Sequence, residues 1–333
     1  IPLLLSCFFF AFLIGRVQDS YDRVAPQVLY LSIVNLISLL YLFYNYSLNN
    51  IISYVKSNKS FIYYSAYILI SGLSIIVADN KAEAIITFSK YATYLTAFLA
   101  ILVLTRSNKF NITDFFLKII VASIIIESGT VLYALIDDVI INGNPFYRGN
   151  HYSGLAANIN IVAFSLVAKS PVIFYYIFKN ESKMMLAFLY IVFFMICSSL
   201  FFLLTRGALL AFVLISCLIF SYILIKEYKT SIIKVGISII VFFVSFQFST
   251  STMNANDSNP IVDRVSSIRL NTSDESINQR LRYYSHSIKM MSKQPLLGIG
   301  VGNWKFKSIE YDSKNIMEYV VPYFAHNDFL QIG

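Results

Sequence analysis

Long apolar runs follow one another along the first three quarters of the chain, separated by short polar links. Eight of them approach the roughly 20 apolar residues that a helix needs to cross a bilayer. They are Val28–Tyr46, Phe61–Ala78, Phe88–Leu104, Phe115–Ile136, Tyr152–Phe178, Met184–Leu204, Ala208–Ile225 and Ile232–Phe248. Another apolar run, Ile1–Ile14, opens the chain. Neither strand-like alternation nor an internal repeat competes with this pattern. It therefore predicts an all-α, polytopic membrane helical bundle with about nine transmembrane helices.

Both ends of the sequence indicate a piece of a longer protein. The first residue is Ile1, not Met, and residues 328–333 are again mostly apolar. We expect Ile1–Ile14 to be a truncated first helix, because no small-residue cleavage site of a signal peptide follows it. Residues 328–333 are expected to begin a further, truncated transmembrane helix. Inside the Tyr152–Phe178 run, Pro171 is expected to kink or end the helix.

Composition agrees with a membrane protein. The chain is 57% hydrophobic and only 13% charged, with a mean hydropathy of +0.66, whereas soluble domains carry about 25% charged residues. The net charge of +8 is spread over the loops, which is typical of topology signals and predicts no nucleic-acid partner. The three cysteines lie inside apolar runs without metal-ligand spacing, so neither a disulfide nor a zinc site is expected.

The loops predict an orientation. One alternating set carries nine Lys or Arg residues, and the other short loops carry four, so the richer set is expected in the cytoplasm. The richer set comprises Lys56, Lys59, Arg106, Lys109, Lys179, Lys183, Lys226, Lys229 and Lys234, and the poorer set Arg16, Arg23, Lys81 and Arg148. The long polar segment 249–327 and the link Thr205–Gly207 then lie outside. Five candidate residues are expected on this one outer face: Arg148, Arg206, Arg280, Arg282 and His326.

Residues 249–327 form the only long segment that cannot be buried in lipid. The sequence thus predicts a bundle over residues 1–248 and a large extracytoplasmic loop over 249–327 that contains short helices. One helix is expected from about Ser276 to Ser292, with an apolar stripe of Tyr284, Ile288 and Met291 suited to the membrane surface. Gln294–Pro295 ends it.

The glycines that follow this helix, Gly298, Gly300 and Gly302, resemble a nucleotide-binding loop in spacing alone. They lack the preceding strand and following helix that give such a loop its phosphate site. We favour a turn that brings backbone close to the membrane or to a ligand.

Three arginines of the outer face have two interpretations each. Arg206 stands between two apolar runs, where it is either a snorkelling topology anchor or a clamp for pyrophosphate. A guanidinium group binds phosphate oxygens in bidentate fashion and keeps its charge. Arg280 and Arg282 are two residues apart, so on a helix only one would face a given ligand. The alternative for either is a solvated charge.

His326 and Glu127 are the remaining candidates. His326 lies where the outer segment returns to the membrane, and an imidazole there is suited to act as a general base; a structural histidine is the alternative. Glu127 is the one acidic residue deep in an apolar run. It is either a proton or ion site of a transporter or a hydrogen-bonding group beside a serine such as Ser128. Asp137 and Asp138 are expected to be solvated.

Three landmarks resemble those of the O-antigen ligase and polymerase superfamily. Residues 204–211, LTRGALLA, are similar to that family's Thr/Ser-Arg-Gly helix turn. Residues 279–300 match its Arg-x-x-x-aromatic pattern followed by Pro-x-x-Gly-x-Gly, and make Arg280 the matching arginine. Residues 325–331, AHNDFLQ, look like its His-Asn-x-aromatic-Leu motif. Arg148-Gly149-Asn150 is a looser fourth match.

The resemblance implies a reaction and a site. The donor would be an undecaprenyl-pyrophosphate-linked glycan, and the acceptor a hydroxyl on a lipid A-core sugar, on a growing glycan or on a protein. The implied location is the periplasmic face of the bacterial inner membrane, in contact with membrane lipid. His326, Arg280 and Arg206 are the implied catalytic residues, and Arg148, Arg282 and Asn327 the implied substrate-binding residues. Because arginines can neutralise a pyrophosphate leaving group, we expect no metal and no cofactor.

Among the functions that fit, the ligase is favoured. A polymerase shares its motifs, and a protein O-oligosaccharyltransferase is the third candidate. The alternative from a different class is a polysaccharide or ion-coupled transporter. Transporters favour intramembrane charged pairs and repeated halves, whereas this chain has one deep carboxylate, no evident repeat and arginines clustered outside the membrane.

Overall fold

The computed structural model of the chain describes residues 1–14, 25–106, 112–156, 158–253, 261 and 275–313. These residues form helices and turns, and no strand occurs in the described part. The helices are α1 (Pro2–Phe9), α2 (Ala25–Asn45), α3 (Leu48–Lys56), α4 (Lys59–Leu73), α5 (Lys81–Arg106), α6 (Ile112–Leu135), α7 (Ile159–Lys179), α8 (Lys183–Leu203), α9 (Arg206–Lys229), α10 (Ser231–Met253), α11 (Glu275–Lys293) and α12 (Trp304–Asp312). A 3₁₀ turn, Ser74–Val77, extends α4, and a π-helical turn, Ile136–Ile141, extends α6.

Eight of the described helices, α2 and α4 to α10, are long and apolar enough to cross a membrane. Each corresponds to one of the eight long apolar runs, so the prediction of an all-α polytopic membrane bundle is confirmed. Large apolar side chains remain exposed on their outer faces, among them Leu40, Leu218 and Ile225. A bilayer suits such surfaces. The opening run forms only α1 and a short 3₁₀ turn.

One compact unit, called unit 2, comprises residues Phe12–Gln27 and Phe110–Ile268. Its central helix is α8, which packs against α6, α7 and the α9–α10 pair and is apolar on all sides. Aromatic rings fill the spaces between these helices, with Phe174 5.3 Å from Phe193 and 5.2 Å from Phe220 between ring centroids. Of the two expectations for Pro171, that it ends its helix is wrong, because α7 continues through it to Lys179; a kink at Pro171 stays a prediction. Neighbouring helices and serine side chains allow a proline inside a membrane helix.

The other compact unit, unit 1, comprises residues Ile1–Ala11, Val28–Lys109 and Arg269–Gly333. The Asn35 side chain ties α2 to α5 by donating to the Thr93 carbonyl at 2.9 Å. Helices α11 and α12 pack together through a buried cluster of Tyr283, Met290 and Trp304. The predicted helix near 276–292 is thus present as α11. Its stripe of Tyr284, Ile288 and Met291 faces away from this cluster, with Ile288 57% exposed, and contact of that stripe with the membrane stays a prediction.

Candidate active site

The link between α8 and α9 is a sharp turn with a strained residue. Leu204 has a φ of 48° and is the one non-glycine residue with positive φ among those described. For an L-residue this left-handed conformation costs about 1–2 kcal/mol, and such strain is characteristic of functional sites. The neighbouring Thr205 hydroxyl donates to the Asn160 side-chain oxygen at 3.1 Å, which holds the turn against α7.

Two of the predicted site arginines, Arg148 and Arg206, lie at this turn. Arg206 is the first residue of α9 and is half-buried. Arg148 comes from the segment between α6 and α7, and its Nε donates to the Leu203 carbonyl at 3.3 Å. The amino end of α9 adds the partial positive charge of a helix dipole. This end of unit 2 therefore concentrates positive charge, which suits an anionic group such as a phosphate.

Gly207, the last residue of the Thr-Arg-Gly motif, is explained by packing. A Cβ at this position would lie 3.2 Å from the Phe164 ring of α7, closer than side chains normally tolerate. Glycine therefore lets the first turn of α9 approach α7. The motif thus combines a hydroxyl that anchors the turn, a guanidinium group and a residue without a side chain.

The segment that carries Arg148 is fastened to the end of α6 by Asp138. The Tyr152 hydroxyl donates to Asp138 Oδ2 at 2.5 Å, and the Asn144 amide donates to Oδ1 at 2.6 Å. Burial and the Asp138 carboxylate raise the pKa of Tyr152, so this phenol stays protonated and acts as a donor. Asp137 is exposed, as expected. Asp138 is only partly solvated, with 29% of its side chain exposed, because its carboxylate also accepts from Tyr152 and Asn144.

Asp138 also lies close to His151, a residue that the sequence motifs did not indicate. His151 Nε2 lies 3.7 Å from Asp138 Oδ2. The available signal was its position three residues after Arg148, but the Asp138 contact depends on tertiary packing.

The two arginines of α11 lie in unit 1 and differ in their surroundings. Arg280 is exposed. Arg282 forms a two-point ion pair with the buried Asp312 of α12, with Nε 2.6 Å from Oδ1 and Nη2 donating to Oδ2 at 3.2 Å. Arg282 therefore has a structural role in joining α11 to α12, and its contact with substrate stays a prediction. The contact of the exposed Arg280 with substrate likewise stays a prediction.

His286 is buried beside this ion pair. Its exposed fraction is 7%, and among the described residues no partner hydrogen-bonds to its Nδ1. Burial lowers the pKa of His286, and the positive charges of Lys289 and Arg282 act in the same direction, while Asp312 opposes them.

Because of this lowered pKa, the packing of α11 on α12 should weaken in acid. Below about pH 6.5 an unfolded His286 binds a proton that the folded one resists, so stability is lost as the pH falls from that value. Proteolysis of the α11–α12 region in the full chain should be faster at pH 5.5 than at pH 7.5. The H286Q variant should show a smaller difference, and H151Q, with an exposed histidine replaced, should behave like the wild type. An undiminished difference in H286Q would show that this histidine is not responsible.

The glycine-rich turn between α11 and α12 packs closely against other residues of unit 1. Gly298, Gly300 and Gly302 all have positive φ. A Cβ on Gly300 would lie 2.6 Å from the Cβ of Ala78, and one on Gly302 would lie 2.4 Å from the Thr87 hydroxyl. The expected close approach of backbone is therefore present, but it is to the turn before α5 and to α5 itself. A contact of this turn with the membrane or with a ligand stays a prediction.

Polar contacts reinforce this attachment. The Asn80 backbone N–H donates to Asn303 Oδ1 at 2.8 Å, and Asn303 Nδ2 donates back to the Asn80 carbonyl at 3.3 Å. The ion pairs Lys305–Glu83 at 2.8 Å and Lys307–Asp79 at 2.9 Å flank them. The Pro-x-x-Gly-x-Gly landmark thus fixes α11, and with it Arg280, to the α4–α5 connection.

Glu127 has a different partner from the serine that the sequence suggested. Lys169 Nζ lies 2.6 Å from Glu127 Oε1, and the Ser165 hydroxyl donates to both carboxylate oxygens at 3.2 and 3.0 Å. Ser128 instead donates to the Ile124 carbonyl. An acid and a base inside two candidate spans neutralise each other and join α6 to α7. Such pairs occur in transporters, and they also fix the register of neighbouring helices.

The remaining predicted site residues, His326 and Asn327, lie outside the described residues, which end at 313. Within the described ranges, no group of three or more His, Cys, Asp or Glu side chains has an arrangement that would hold a metal ion.

Comparison with known proteins bears on this arrangement. An O-antigen ligase family model matches residues 190–333, a range that contains α8 from residue 190 onward, the Arg206 turn and Arg280. Residues 190–333 are thus similar to the O-antigen ligase family, which supports the resemblance to the O-antigen ligase and polymerase superfamily. The predicted resemblance is confirmed. The O-antigen ligase family indicates a glycosyltransferase-like enzyme, here in a multi-pass membrane protein. No curated protein and no solved structure gave a significant match.

Proposed function

We propose that this protein transfers a glycan from undecaprenyl pyrophosphate to a hydroxyl of a lipid A-core sugar. The reaction would take place at the periplasmic face of the bacterial inner membrane. The observation that carries the proposal is that Arg148 and Arg206 both lie at the strained α8–α9 turn. Two permanent cations beside a helix amino end favour a diphosphate that a membrane lipid delivers.

In the proposed reaction the acceptor oxygen bonds to the anomeric carbon of the donor sugar. The bond from that carbon to the pyrophosphate oxygen breaks, and the pyrophosphate leaves with the electron pair. His326 takes the proton of the acceptor hydroxyl as general base. Arg206 and Arg280 stabilise the negative charge that develops on the leaving group, with Arg148 and Arg282 as further substrate-binding residues and Asn327 beside the base. Neutralisation by guanidinium groups is the electrostatic contribution that a metal ion would otherwise make.

Gel separation of surface glycolipid tests the proposal in the source bacterium after deletion of the full-length gene. We expect a core band alone, with long glycan accumulating on undecaprenyl pyrophosphate, and restoration by the wild-type gene. Core carrying a single repeat unit would replace the ligase by a polymerase, which uses the same donor chemistry. An unchanged ladder would contradict both, and glycoproteins and then transport would be measured next.

A further inference from the structure

His151 occupies a position that the proposed reaction has not yet used. Its imidazole lies over the Tyr152 ring at 3.8 Å between centroids and folds back against the backbone at Gly149. A Cβ on Gly149 would lie 2.6 Å from His151 Nδ1, so the glycine of the Arg148-Gly149-Asn150 match makes room for this ring. The side chain is 53% exposed. The imidazole thus stands at the surface, next to the backbone of the residue that follows Arg148.

The contact with Asp138 is an ion pair when His151 is protonated. Asp138 already accepts hydrogen bonds from Tyr152 and Asn144, and at 3.7 Å the imidazole adds charge attraction and no normal hydrogen bond. The fastening of the segment to α6 is therefore provided without the histidine. Among the described residues, the titratable groups with a contact to the ring are Asp138 at the end of α6 and Tyr152 in its own segment.

The same segment reaches the α8–α9 turn. Arg148 donates to the Leu203 carbonyl, and the Asn150 side chain accepts from the Ile159 N–H at the start of α7. Asn160, one residue later, accepts from the Thr205 hydroxyl beside Arg206. These contacts place His151 in the same corner of unit 2 as both arginines.

We propose that His151, as an imidazolium ion paired with Asp138, contacts the leaving pyrophosphate together with Arg148 and Arg206. This inference rests on the proposed function and adds to it a third cation. No proton moves to or from His151 in the step. Its charge stabilises the pyrophosphate as the bond to the sugar breaks, in the same way as the guanidinium groups. A lysine at this position would supply the same positive charge.

The test uses the full-length protein in lipid vesicles with an undecaprenyl-pyrophosphate donor, and measures kcat and donor KM separately. H151Q should lower kcat about tenfold, because it removes the proposed positive charge at the leaving group. H151K restores a positive charge at the same position and should retain most of the wild-type rate.

The outcomes separate this role from a structural one and from the proposed function. Equal kcat and donor KM values in H151Q and the wild type would overturn the role of His151 alone. So would an H151K variant as slow as H151Q, because charge would then not be what matters. Thermal unfolding of each variant in detergent checks that it is folded. A wild type that releases no undecaprenyl pyrophosphate from this donor would overturn the proposed function, and the role of His151 with it.

Discussion

R206A is expected to reduce glycan transfer by about 100- to 1000-fold, the loss typical when a group that stabilises developing charge is removed. Arg206 opens α9 at the strained turn, and Arg148 is anchored to the same turn through the Leu203 carbonyl. Alanine leaves the turn's other contacts in place, including the bond from Thr205 to Asn160, and removes one cation. The measurement is transfer of a labelled glycan in vesicles by the full-length protein, with kcat and donor KM determined separately.

Two further substitutions sharpen this result. R206K keeps the charge but loses the planar two-point geometry, so an intermediate rate is expected. R106A is the matched control, because Arg106 ends α5 in unit 1, where it donates to Ser57; its rate should stay within about twofold of the wild type. Near-normal transfer by R206A would leave Arg206 as a topology anchor. H326A should separate the roles by losing transfer while still binding donor, since it removes the proposed base and no phosphate ligand.

The hydrophobic pattern predicted the spanning helices because the bilayer imposes one requirement on each of them. A helix must hold roughly 20 apolar residues and must satisfy its own backbone. Each of the eight long runs therefore corresponds to a candidate span, even though the ends shift by several residues. Pro171 shows where the local rule fails. Inside unit 2 it is tolerated because α7 is packed on other helices.

The site could be predicted only where its residues form a short local pattern. Thr205-Arg206-Gly207 is such a pattern, since its hydroxyl, its cation and its missing side chain all act within one turn. The Asp138–His151 contact is not local, because it depends on the π-helical turn at the end of α6. No short sequence pattern predicted the π-helical turn at Ile136–Ile141. The partner of Glu127 was similarly uncertain, because Lys169 lies on another helix.

The glycine-rich landmark predicted a close backbone approach to the membrane or to a ligand, whereas the close approach present in unit 1 is to Ala78 and Thr87. Because of the contact with Ala78, replacing Gly300 by alanine should strongly lower the stability of unit 1. At a φ of +87°, a Cβ on Gly300 would lie 2.6, 2.7 and 3.0 Å from the Cβ, Cα and N of Ala78. Two of these three atoms are backbone, which cannot rotate away. G300A should therefore incur about 1–2 kcal/mol of backbone strain and about 1–3 kcal/mol of overpacking.

The expected consequence of G300A is release of the α11–α12 region from the α4–α5 connection. Thermal unfolding should occur at a lower temperature, residues 275–313 should be cut faster by protease, and transfer should fall because Arg280 is no longer held. G143A is the matched control: Gly143 also has positive φ, at +67°, but no atom lies within 4 Å of its added Cβ. It incurs the strain alone, so the difference between the two variants isolates the contact with Ala78. Adding A78G to G300A removes one of the three clashing atoms and should restore part of the lost stability. If G300A destabilises the protein no more than G143A does, the glycine turn is not held against Ala78, and Arg280 must be positioned by other contacts of α11.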